Sequence, residues 1–453
     1  MSHPVEAEAF LKDKATSKWH DETLWFVRDK RDKVSKTVPE WEELRELASQ
    51  IKDNVLSQLE VYLEAFEKNA VANGIQVHWA KDAQEHNEIV LEILKNKKCE
   101  AIVKSKSILT EECHLNPFLE KNGIEVVDTD LGERIVQFLN QPPSHIVLPA
   151  IHLKKGQISD IFHEKLQTEK GNDDPTYLTQ AARVHLRGKF LGAKVAVTGV
   201  NFGVAETGEF VVCTNEGNAD MGVHLADVHI ACMGIEKIIP KREHLGVFLR
   251  LLARSATGQS ITNYNSHFRS PAVGKEIHLI LVDNGRTAQL GREKFRNSLK
   301  CIRCGACMNT CPIYRRSGGF SYKSTVPGPI GSILSPGIDL QKHSSLPFAS
   351  TLCGSCTDVC PVKINIHEQL YEWRQEITKS QSALNGKSIA MKIANGIFSV
   401  PFAYHISGAM MRGALKILPE SVTYSGLNTW GKGRDLPELP KESFRNWYEK
   451  NRK

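Results

Sequence analysis

Cysteines at metal-ligand spacing carry the strongest chemical signal in the chain. Seven of the eleven cysteines fall in two runs, Cys301-x-x-Cys304-x-x-Cys307-x-x-x-Cys311-Pro312 and Cys353-x-x-Cys356-x-x-x-Cys360-Pro361. The first run has the bacterial ferredoxin spacing, in which three thiolates hold one iron–sulfur cluster and the fourth reaches another. A zinc ribbon needs two C-x-x-C pairs and has no use for the remaining cysteines. The two runs therefore predict two iron–sulfur clusters rather than zinc or disulfides.

The second run lacks its leading cysteine. Superposing it on the first run puts Ser350 in the empty slot. By the crossover rule, Cys301, Cys304, Cys307 and Cys360 form a complete four-thiolate site, and Cys311, Cys353 and Cys356 a three-thiolate site. Three outcomes stay open at the second site: Ser350 or water caps the fourth iron, a partner supplies the ligand, or the site holds a three-iron cluster.

Composition places the chain among ordinary globular proteins. Its 453 residues suffice for roughly two or three domains, and 41% hydrophobic and 24% charged residues are typical values. The start, MSHPVEAEAFLKDK, has no apolar segment of a secretory signal, and no apolar run is long enough to span a bilayer. Cys99, Cys113, Cys213 and Cys232 lie outside metal-type spacing. Free thiols suit a reducing cytoplasm, which is the predicted location.

The elements before the cysteines alternate between helices and short apolar strands. Residues up to about Lys36 are charged and aperiodic, which predicts an arm or a short helix. A long amphipathic helix is predicted from Leu44 to Leu63, ending at Asn73-Gly74. A further helix is predicted over Ile89 to Leu94. Strands are predicted at 75–77, 101–103, 124–126, 145–148, 194–199, 210–213, 227–230 and 278–282. This alternation is typical of βα units and a mainly parallel sheet.

The elements after the first cysteine run are predicted to be helical or irregular. The Gly/Pro-rich bridge 325–331 is expected to have little regular structure. A helix with Ile366, Leu370, Trp373 and Ile377 on one face follows Pro361. The last part mixes an apolar helical stretch, 389–418 broken at Pro401, with a polar end that contains Trp430 and Trp447.

Positive charge concentrates in this last part. The net charge is +6, and residues 385–453 hold eleven Lys/Arg against five Asp/Glu, so the remainder is close to neutral. The basic apolar tail has three interpretations. It is a helix that packs on the protein with one solvated face, a docking surface for a partner subunit, or a segment that contacts an anionic membrane surface. No nucleic-acid partner is predicted.

The whole pattern resembles the lactate utilization protein B family, the iron–sulfur subunit of the bacterial lactate-utilisation system. Besides the cysteine runs, the resemblance rests on Lys104–Ser107, Thr129–Glu133, Ser144–His152, Ala205–Gly208 and Thr214–Asn218, which look like the LUD domain. It implies an α/β LUD domain similar in fold to sugar-phosphate isomerases and CoA transferases, then an α-helical ferredoxin-type dicluster domain and a helical C-terminal tail. The expected boundaries are 1–40 for the arm, 41–290, 291–378 and 379–453.

The resemblance also implies a function and partners. Relatives oxidise L-lactate to pyruvate in a three-protein cytoplasmic assembly, which implies a cysteine-rich redox subunit and a second LUD-domain protein as partners. The family ligands carry over as Cys301, Cys304, Cys307 and Cys360 for the first cluster. Those for the second are Cys311, Cys353 and Cys356. Membership does not fix the substrate, since neighbouring families use similar modules for other 2-hydroxy acids.

Other chemistry in the sequence is weaker. The glycine-rich turn Gly199–Gly208 is not G-x-G-x-x-G, so nicotinamide or flavin binding is not expected there; a plain turn or an anion cradle of backbone N–H groups remains. Glu206 and Glu216, in loops flanking one strand, are candidate acid–base residues or loop hydrogen-bonding groups.

Histidines and lysines near predicted strand ends are also weak candidates. His152, His224 and His229 are expected to be partly buried and hydrogen-bonded rather than metal ligands. Lys104 and Lys106 fit an anion site or a solvated edge equally.

Two functions of different class follow. The chain is an electron-transfer subunit of a lactate-oxidising complex, or its LUD domain binds or senses a carboxylate or phosphate while the clusters are structural or redox-sensing. A bare assembly scaffold is the third option. Lactate-dependent cluster reduction only with partners favours the first, and a ligand that shifts the cluster potential favours the second.

Overall fold

The computed structural model describes residues 2–380, 386–424 and 438–452, and the chain divides into two compact units, 1–377 and 378–453. The strands are β1 (Gln76–Ala80), β2 (Ala101–Lys104), β3 (Glu125–Asp128), β4 (Val195–Gly199), β5 (Phe202–Val204), β6 (Phe210–Thr214), β7 (Val228–Gly234), β8 (Ile238–Ile239), β9 (Tyr264–Phe268) and β10 (Glu276–Val282). The helices up to the first cysteine are α1 (His3–Lys12), α2 (Lys14–Ser35), α3 (Trp41–Ser57), α4 (Leu59–Ala72), α5 (Ala83–Asn96), α6 (Ile108–Glu112), α7 (Leu115–Lys121), α8 (Leu131–Phe138), α9 (Lys155–Leu166), α10 (Pro175–Gly192), α11 (Asn218–Leu225), α12 (Leu245–Thr257) and α13 (Arg286–Leu290). Those that follow are α14 (Ala306–Thr310), α15 (Pro312–Ser317), α16 (Gly328–Ile338), α17 (Leu340–His343), α18 (Ser355–Asp358), α19 (Ile366–Ser380), α20 (Gly386–Ser399), α21 (Pro401–Ile417), α22 (Glu420–Thr423) and α23 (Phe444–Asn451).

A six-stranded sheet organises the first unit. Its strand order is β1-β10-β7-β4-β2-β3, and every neighbouring pair is parallel. The central strands are apolar on both faces: every residue of β7 is buried, as are the residues of β10 after Glu276. That pattern is typical of a parallel sheet covered by helices on both sides, so the predicted α/β class is confirmed.

A second, smaller sheet has the order β8-β5-β6-β9. Its β5–β6 and β6–β9 pairs are antiparallel, whereas β5 and β8 run parallel. The predicted strand at 210–213 belongs to this sheet and not to the main one. Another strand of this sheet, β5, follows directly after β4, so the small sheet lies next to the carboxyl edge of the main sheet.

The N-terminal segment differs from the predicted arm or short helix. It forms α1 and the 22-residue helix α2, whose inward face carries Ser17, His20, Leu24, Arg31 and Ser35. These residues recur at helical spacing, but most are polar, so an apolar periodicity does not reveal them. Ser17, His20 and Arg31 bind backbone carbonyls of the cysteine region.

The helix predicted from Leu44 to Leu63 is two helices, α3 and α4, separated at Gln58. The apolar stripe continues through Val55, Leu59 and Leu63, all buried, because the second helix restarts at once. The predicted stop is confirmed: α4 ends at Ala72, and Gly74 has φ +87°.

The strand predicted at His145–Leu148 is absent. The Nδ1 atom of His145 accepts the backbone N–H groups of Val147 at 3.0 Å and Leu148 at 3.1 Å. A side chain thereby takes two donors that a strand would have given to a neighbour. The segment is a tight loop over the cysteine region, where His145 Nε2 lies 3.0 Å from Asn309 Oδ1.

The Gly/Pro-rich bridge is also more regular than predicted, because α16 starts inside it. Gly328 has φ +72° and Pro329 occupies the first turn, where its missing N–H costs nothing. The helix predicted after Pro361 is confirmed as α19, with Ile366, Leu370 and Trp373 each 1% exposed.

The second unit is helical. The predicted break at Pro401 is confirmed, since α20 ends at Ser399 and α21 begins at Pro401. Apolar side chains of both helices are exposed within this unit, among them Phe398, Phe402 and Met410. Trp447 lies in α23, whereas Trp430 lies outside the described residues. Among the described residues, no helix combines the length and apolarity needed to cross a bilayer.

Candidate iron–sulfur site and adjoining cavity

Each cysteine run folds into the same backbone loop. In the first run Arg303 has φ +60° and Gly305 φ +76°, and α14 starts directly afterwards. In the second run Leu352 has φ +56° and Gly354 φ +79°, and α18 starts directly afterwards. In each loop, the two residues that flank one cysteine have a left-handed backbone conformation, which makes the loop tight. Neighbouring thiols can therefore face one centre, as a cluster needs.

Backbone N–H groups point at three of the sulfur atoms. Cys301 Sγ accepts from Arg303 N at 3.4 Å, Cys311 Sγ from Tyr314 N at 3.5 Å, and Cys360 Sγ from Ile364 N at 3.3 Å. Such donors favour the negatively charged thiolate and tune the potential of a bound cluster.

Ser350 reproduces the position of Cys301. Its Oγ accepts the N–H of Leu352 at 3.0 Å, two residues ahead, as the sulfur of Cys301 does from Arg303. Its carbonyl accepts from Arg374 Nη2 at 2.7 Å, which fixes the backbone there. The hydroxyl thus has the same local hydrogen bond as the missing thiol.

Most of the mutual repulsion among the thiols falls within one group of four and one group of three, and Cys307 and Cys356 link the two groups. Burial raises the pKa of Cys304 to about 12, with further contributions from Cys360 and Cys301. Burial likewise raises the pKa of Cys307 well above its usual range, and Cys301, Cys304, Cys356 and Cys360 add to this.

The second group follows the same pattern. Burial raises the pKa of Cys356 to about 12, and Cys311 and Cys353 raise it further. Burial also raises the pKa of Cys311 to about 11, with Cys353 contributing. Buried thiols that repel one another as anions need a cation to be deprotonated together. This donor set, all sulfur, suits iron–sulfur clusters, so the residues fit the group.

The two groups differ in exposure. Cys304, Cys307 and Cys360 are buried, Cys301 is partly buried, and Cys353 of the second group is exposed. The first group therefore lies inside the unit, whereas the second reaches its surface.

Basic side chains hold the loops of the first group. Arg45 Nε donates to the carbonyl of Cys360 at 3.1 Å, and Lys237 Nζ to that of Cys301 at 3.0 Å. Arg31 Nη2 donates to the neighbouring Val359 carbonyl at 3.1 Å. Arg31 and Arg45 come from α2 and α3, so the N-terminal helices help to build the site. Sequence reasoning missed them because they lie more than 250 residues from the cysteines they support.

A cavity of about 140 Å³ adjoins the first group. Its wall includes Gly199 and Gly234, the last residues of β4 and β7, and Lys106 just after β2. It also includes Arg303 and Cys304 from the first cysteine loop. The cavity thus joins the carboxyl edge of the parallel sheet, a common ligand position, to the first thiol group.

The two glutamates predicted as acid–base candidates occupy separate anchoring roles. Glu216 Oε1 accepts the N–H of Leu131 at 3.1 Å, and burial raises its pKa. Glu206 is exposed, and its Oε2 accepts the N–H of Arg242 at 3.0 Å. Neither lines the cavity.

Lys104 and Lys106 are both paired with carboxylates. Lys104 is fully buried, with Nζ 2.8 Å from Asp128 and 3.1 Å from Glu111, so the solvated-edge reading is wrong for it. Lys106 Nζ lies 2.9 Å from Asp130 and lines the cavity.

The three histidines are in different surroundings. His152 Nδ1 lies 2.9 Å from Ser144 Oγ, and His229 Nε2 lies 2.7 Å from Thr198 Oγ1. Burial lowers the pKa of His152 to about 4 and that of His229 to about 3, so both are neutral at neutral pH. His224 is exposed on α11, contrary to the expected burial. Throughout the described residues, no three His, Cys, Asp or Glu side chains are arranged for a single metal ion.

The class of protein follows from comparison with known families. Residues 63–288 match the LUD domain, and residues 297–364 match the 4Fe-4S dicluster domain. The chain is therefore a LUD-domain protein that carries a 4Fe-4S dicluster domain, and the predicted iron–sulfur character is confirmed.

Individual relatives define the family. The chain is 44% identical to "Lactate utilization protein B" of Bacillus cytotoxicus, over 93% of this chain and 91% of that protein. It is 42% identical to the protein of the same name from Macrococcus caseolyticus, over 93% and 91%. The chain belongs to the lactate utilization protein B family. A crystal structure of a DUF162 family protein from Deinococcus radiodurans is 13% identical to this chain. The match covers 49% of this chain and 98% of that protein, and its TM-score of 0.28 is too low to support a structural conclusion.

Proposed function

We propose that the chain is the iron–sulfur electron-transfer subunit of a cytoplasmic complex that oxidises L-lactate to pyruvate and so allows growth on lactate. The observation that carries the proposal is the pair of thiol groups, buried except for Cys301 and Cys353, in a chain 44% identical to a Lactate utilization protein B along nearly its whole length. Clusters held by such thiols exchange single electrons, so a relay role follows from the donor set.

The proposed ligands divide as four and three. Cys301, Cys304, Cys307 and Cys360 hold the first cluster, and Cys311, Cys353 and Cys356 the second. Apart from the interaction of Cys307 with Cys356, the mutual repulsion of the buried thiols follows this division. Ser350, water or a partner group completes the second site, unless it holds a three-iron cluster.

The chain's own residues keep the two groups close and different. Each cysteine run contributes to both groups, so the clusters lie near each other and one electron can pass between them. Arg45 holds the carbonyl of Cys360 and Lys237 that of Cys301, both of the first group, and three of the four thiols of that group are buried. The exposed Cys353 places the second group where a partner can reach it.

The proposed assembly includes two partners: a cysteine-rich redox subunit and a second LUD-domain protein. Single-electron clusters cannot by themselves take a hydride from lactate, so the two-electron step needs another acceptor. Within the chain, we propose a LUD domain over 41–290, the dicluster domain over 291–378, and a basic helical region over 379–453 that docks to a partner or contacts a membrane surface.

Anaerobic reconstitution tests this function. The holo-chain is mixed with L-lactate alone, with each partner, and with both, and cluster reduction is followed by EPR. We expect reduction only with partners present. Dye-linked lactate oxidation by this chain alone at a normal enzymatic rate, on the order of 10 per second, contradicts the proposal.

The alternative is a ligand-binding or redox-sensing LUD module with structural clusters. The cavity that touches Cys304 favours it, because a ligand there lies against the first thiol group. A potential shift on adding a carboxylate or phosphate, combined with no lactate-dependent reduction in any mixture, identifies this alternative.

A further inference from the structure

The cavity beside the first thiol group leaves an acceptor without a partner. Asn218 is 8% exposed, and its Nδ2 donates to Thr129 Oγ1 at 3.1 Å. Its Oδ1 is buried and makes no hydrogen bond within the described part of the chain. The amide orientation is fixed, because Thr129 Oγ1 donates its own proton to the carbonyl of Lys104 at 3.0 Å and can only accept from Asn218. The free atom is therefore an acceptor.

A donor on the same cavity wall is also free. Arg303 Nη2 binds Glu112 Oε1 at 2.9 Å, whereas Arg303 Nη1 is buried without a partner in the described residues. Leaving a buried polar atom unpaired costs about 1–3 kcal/mol, so such atoms normally have a partner. A cationic donor and an amide acceptor lining one cavity indicate a ligand that carries both an anionic group and a hydrogen-bond donor.

Among the side chains that line the cavity, cations outnumber carboxylates by one. The basic lining residues are Lys106, Lys237, Arg286 and Arg303. The acidic ones are Glu112, Asp130 and Glu236, so one positive charge is in excess. Arg286 is saturated, 2.8 Å from Glu112 and 2.5 Å from Glu236. The excess therefore lies on the side of Arg303 and Lys237, next to the cysteine loop.

The size of the cavity restricts the ligand. A cavity of about 140 Å³ is close to one of about 150 Å³ that binds benzene, which corresponds to a ligand of about six non-hydrogen atoms. A three-carbon 2-hydroxy carboxylate has this size. It carries an anionic group of the kind that Arg303 can bind and a hydroxyl donor of the kind that Asn218 can accept.

We propose that this chain binds a small 2-hydroxy carboxylate in the cavity between Asn218 and Arg303, directly beside Cys304. The inference deepens the proposed function, on which the choice of substrate class rests, by assigning a substrate site to this chain rather than to a partner. It includes no electron-transfer step. An oxo group in place of the hydroxyl cannot donate to Asn218, so 2-oxo acids bind less tightly.

Calorimetric titration of the anaerobic holo-chain tests the site. The probes are L-lactate, pyruvate, propionate and inorganic phosphate. We expect saturable binding of L-lactate, about tenfold weaker binding of propionate, which lacks the hydroxyl, and a changed EPR spectrum of the first cluster with L-lactate. Propionate or phosphate binding as tightly as L-lactate overturns the assignment.

Two variants and a control locate the site. Asn218→Ala removes the acceptor and should make L-lactate bind like propionate, and Asn218→Asp should weaken it more than tenfold by repelling the carboxylate. Asn122→Asp makes the same charge change on an exposed residue of the same domain and should leave affinity unchanged. Iron content checks that the clusters remain. An unchanged affinity for L-lactate in a folded Asn218→Ala chain contradicts the proposal.

The outcome separates the two proposals. If L-lactate does not bind the chain alone but still reduces its clusters when the partners are present, the cavity inference fails and the electron-transfer function stands. If L-lactate binds but no mixture reduces the clusters, the electron-transfer function fails and the binding site stands.

Discussion

The two thiol groups use one loop design in two environments. Both loops contain paired left-handed residues, Arg303 and Gly305 in one, Leu352 and Gly354 in the other. The first group is largely enclosed and adjoins a cavity, and Arg45 and Lys237 hold the carbonyls of its Cys360 and Cys301. The second group includes the exposed Cys353, and its loop has a serine at the first position.

This difference indicates that the two groups exchange electrons with different partners. Ligand type, solvent access and hydrogen bonds to sulfur set the potential of a cluster, and the solvent access of the two groups differs. An enclosed group beside a cavity suits exchange with a small bound molecule, whereas an exposed group suits exchange with a partner protein. The following predictions test the contrast, from the largest expected effect to the smallest.

Loss of one enclosed thiolate should have the largest effect. Cys304→Ala removes a ligand from the four-thiolate group and should cut the iron content by about half or more. Anaerobic iron and sulfide analysis measures it. Cys99→Ala removes a buried thiol outside both groups and should keep full iron content. Equal iron in the two variants contradicts the ligand assignment.

The basic side chains should stabilise the two groups unequally. Arg45 is 8% exposed and holds the Cys360 carbonyl, so Arg45→Gln should cost about 2–3 kcal/mol. Arg315, near the second group, forms a 2.6 Å pair with Asp21 whose side chains are 18% and 30% exposed, so Arg315→Gln should cost about 1 kcal/mol or less. Anaerobic urea unfolding compares them. A larger loss for Arg315→Gln reverses the contrast.

Air should attack the second group first. Its Cys353 is exposed, and the proposed assignment gives it three thiolates instead of four, so we expect its iron to be the most accessible to oxygen. EPR and iron analysis during timed air exposure should show the second cluster lost while the first persists. Simultaneous loss of both signals argues that exposure does not distinguish them.

The smallest expected effect belongs to Ser350. Ser350→Cys supplies a thiolate in place of the hydroxyl, adds negative charge, and should lower the potential of the second cluster and slow its loss in air. The volume change is small, so the fold should survive. Redox titration against Ser344→Cys, the same substitution outside the loop, is the measurement. An unshifted midpoint means that Ser350 only accepts the Leu352 N–H.

Much of the fold could be predicted from the sequence because the patterns that determine it involve residues close together in the chain. The helix stop at Asn73-Gly74, the apolar strands of the main sheet and the face of α19 depend on neighbouring residues. The parallel sheet follows from their alternation. Ser350 was placed by spacing alone, and its hydrogen bond matches that of Cys301.

The failures have a common physical cause, which is long-range polar structure. The inward face of α2 is built from polar residues that bind carbonyls nearly 300 positions away, as His20 Nδ1 does at Arg315. The side chain of His145 takes the N–H groups that a strand needs. Asn218 and Arg303 line the same cavity because the carboxyl edge of the parallel sheet and the first cysteine loop both border it.

Iron and acid-labile sulfide analysis of the anaerobically purified chain, combined with EPR of the reduced protein, tests the central claim most directly. Two clusters held by four plus three thiolates predict about seven to eight irons per chain, matching sulfide, and spectra of two nearby centres. One to two zinc ions per chain without acid-labile sulfide would contradict the account.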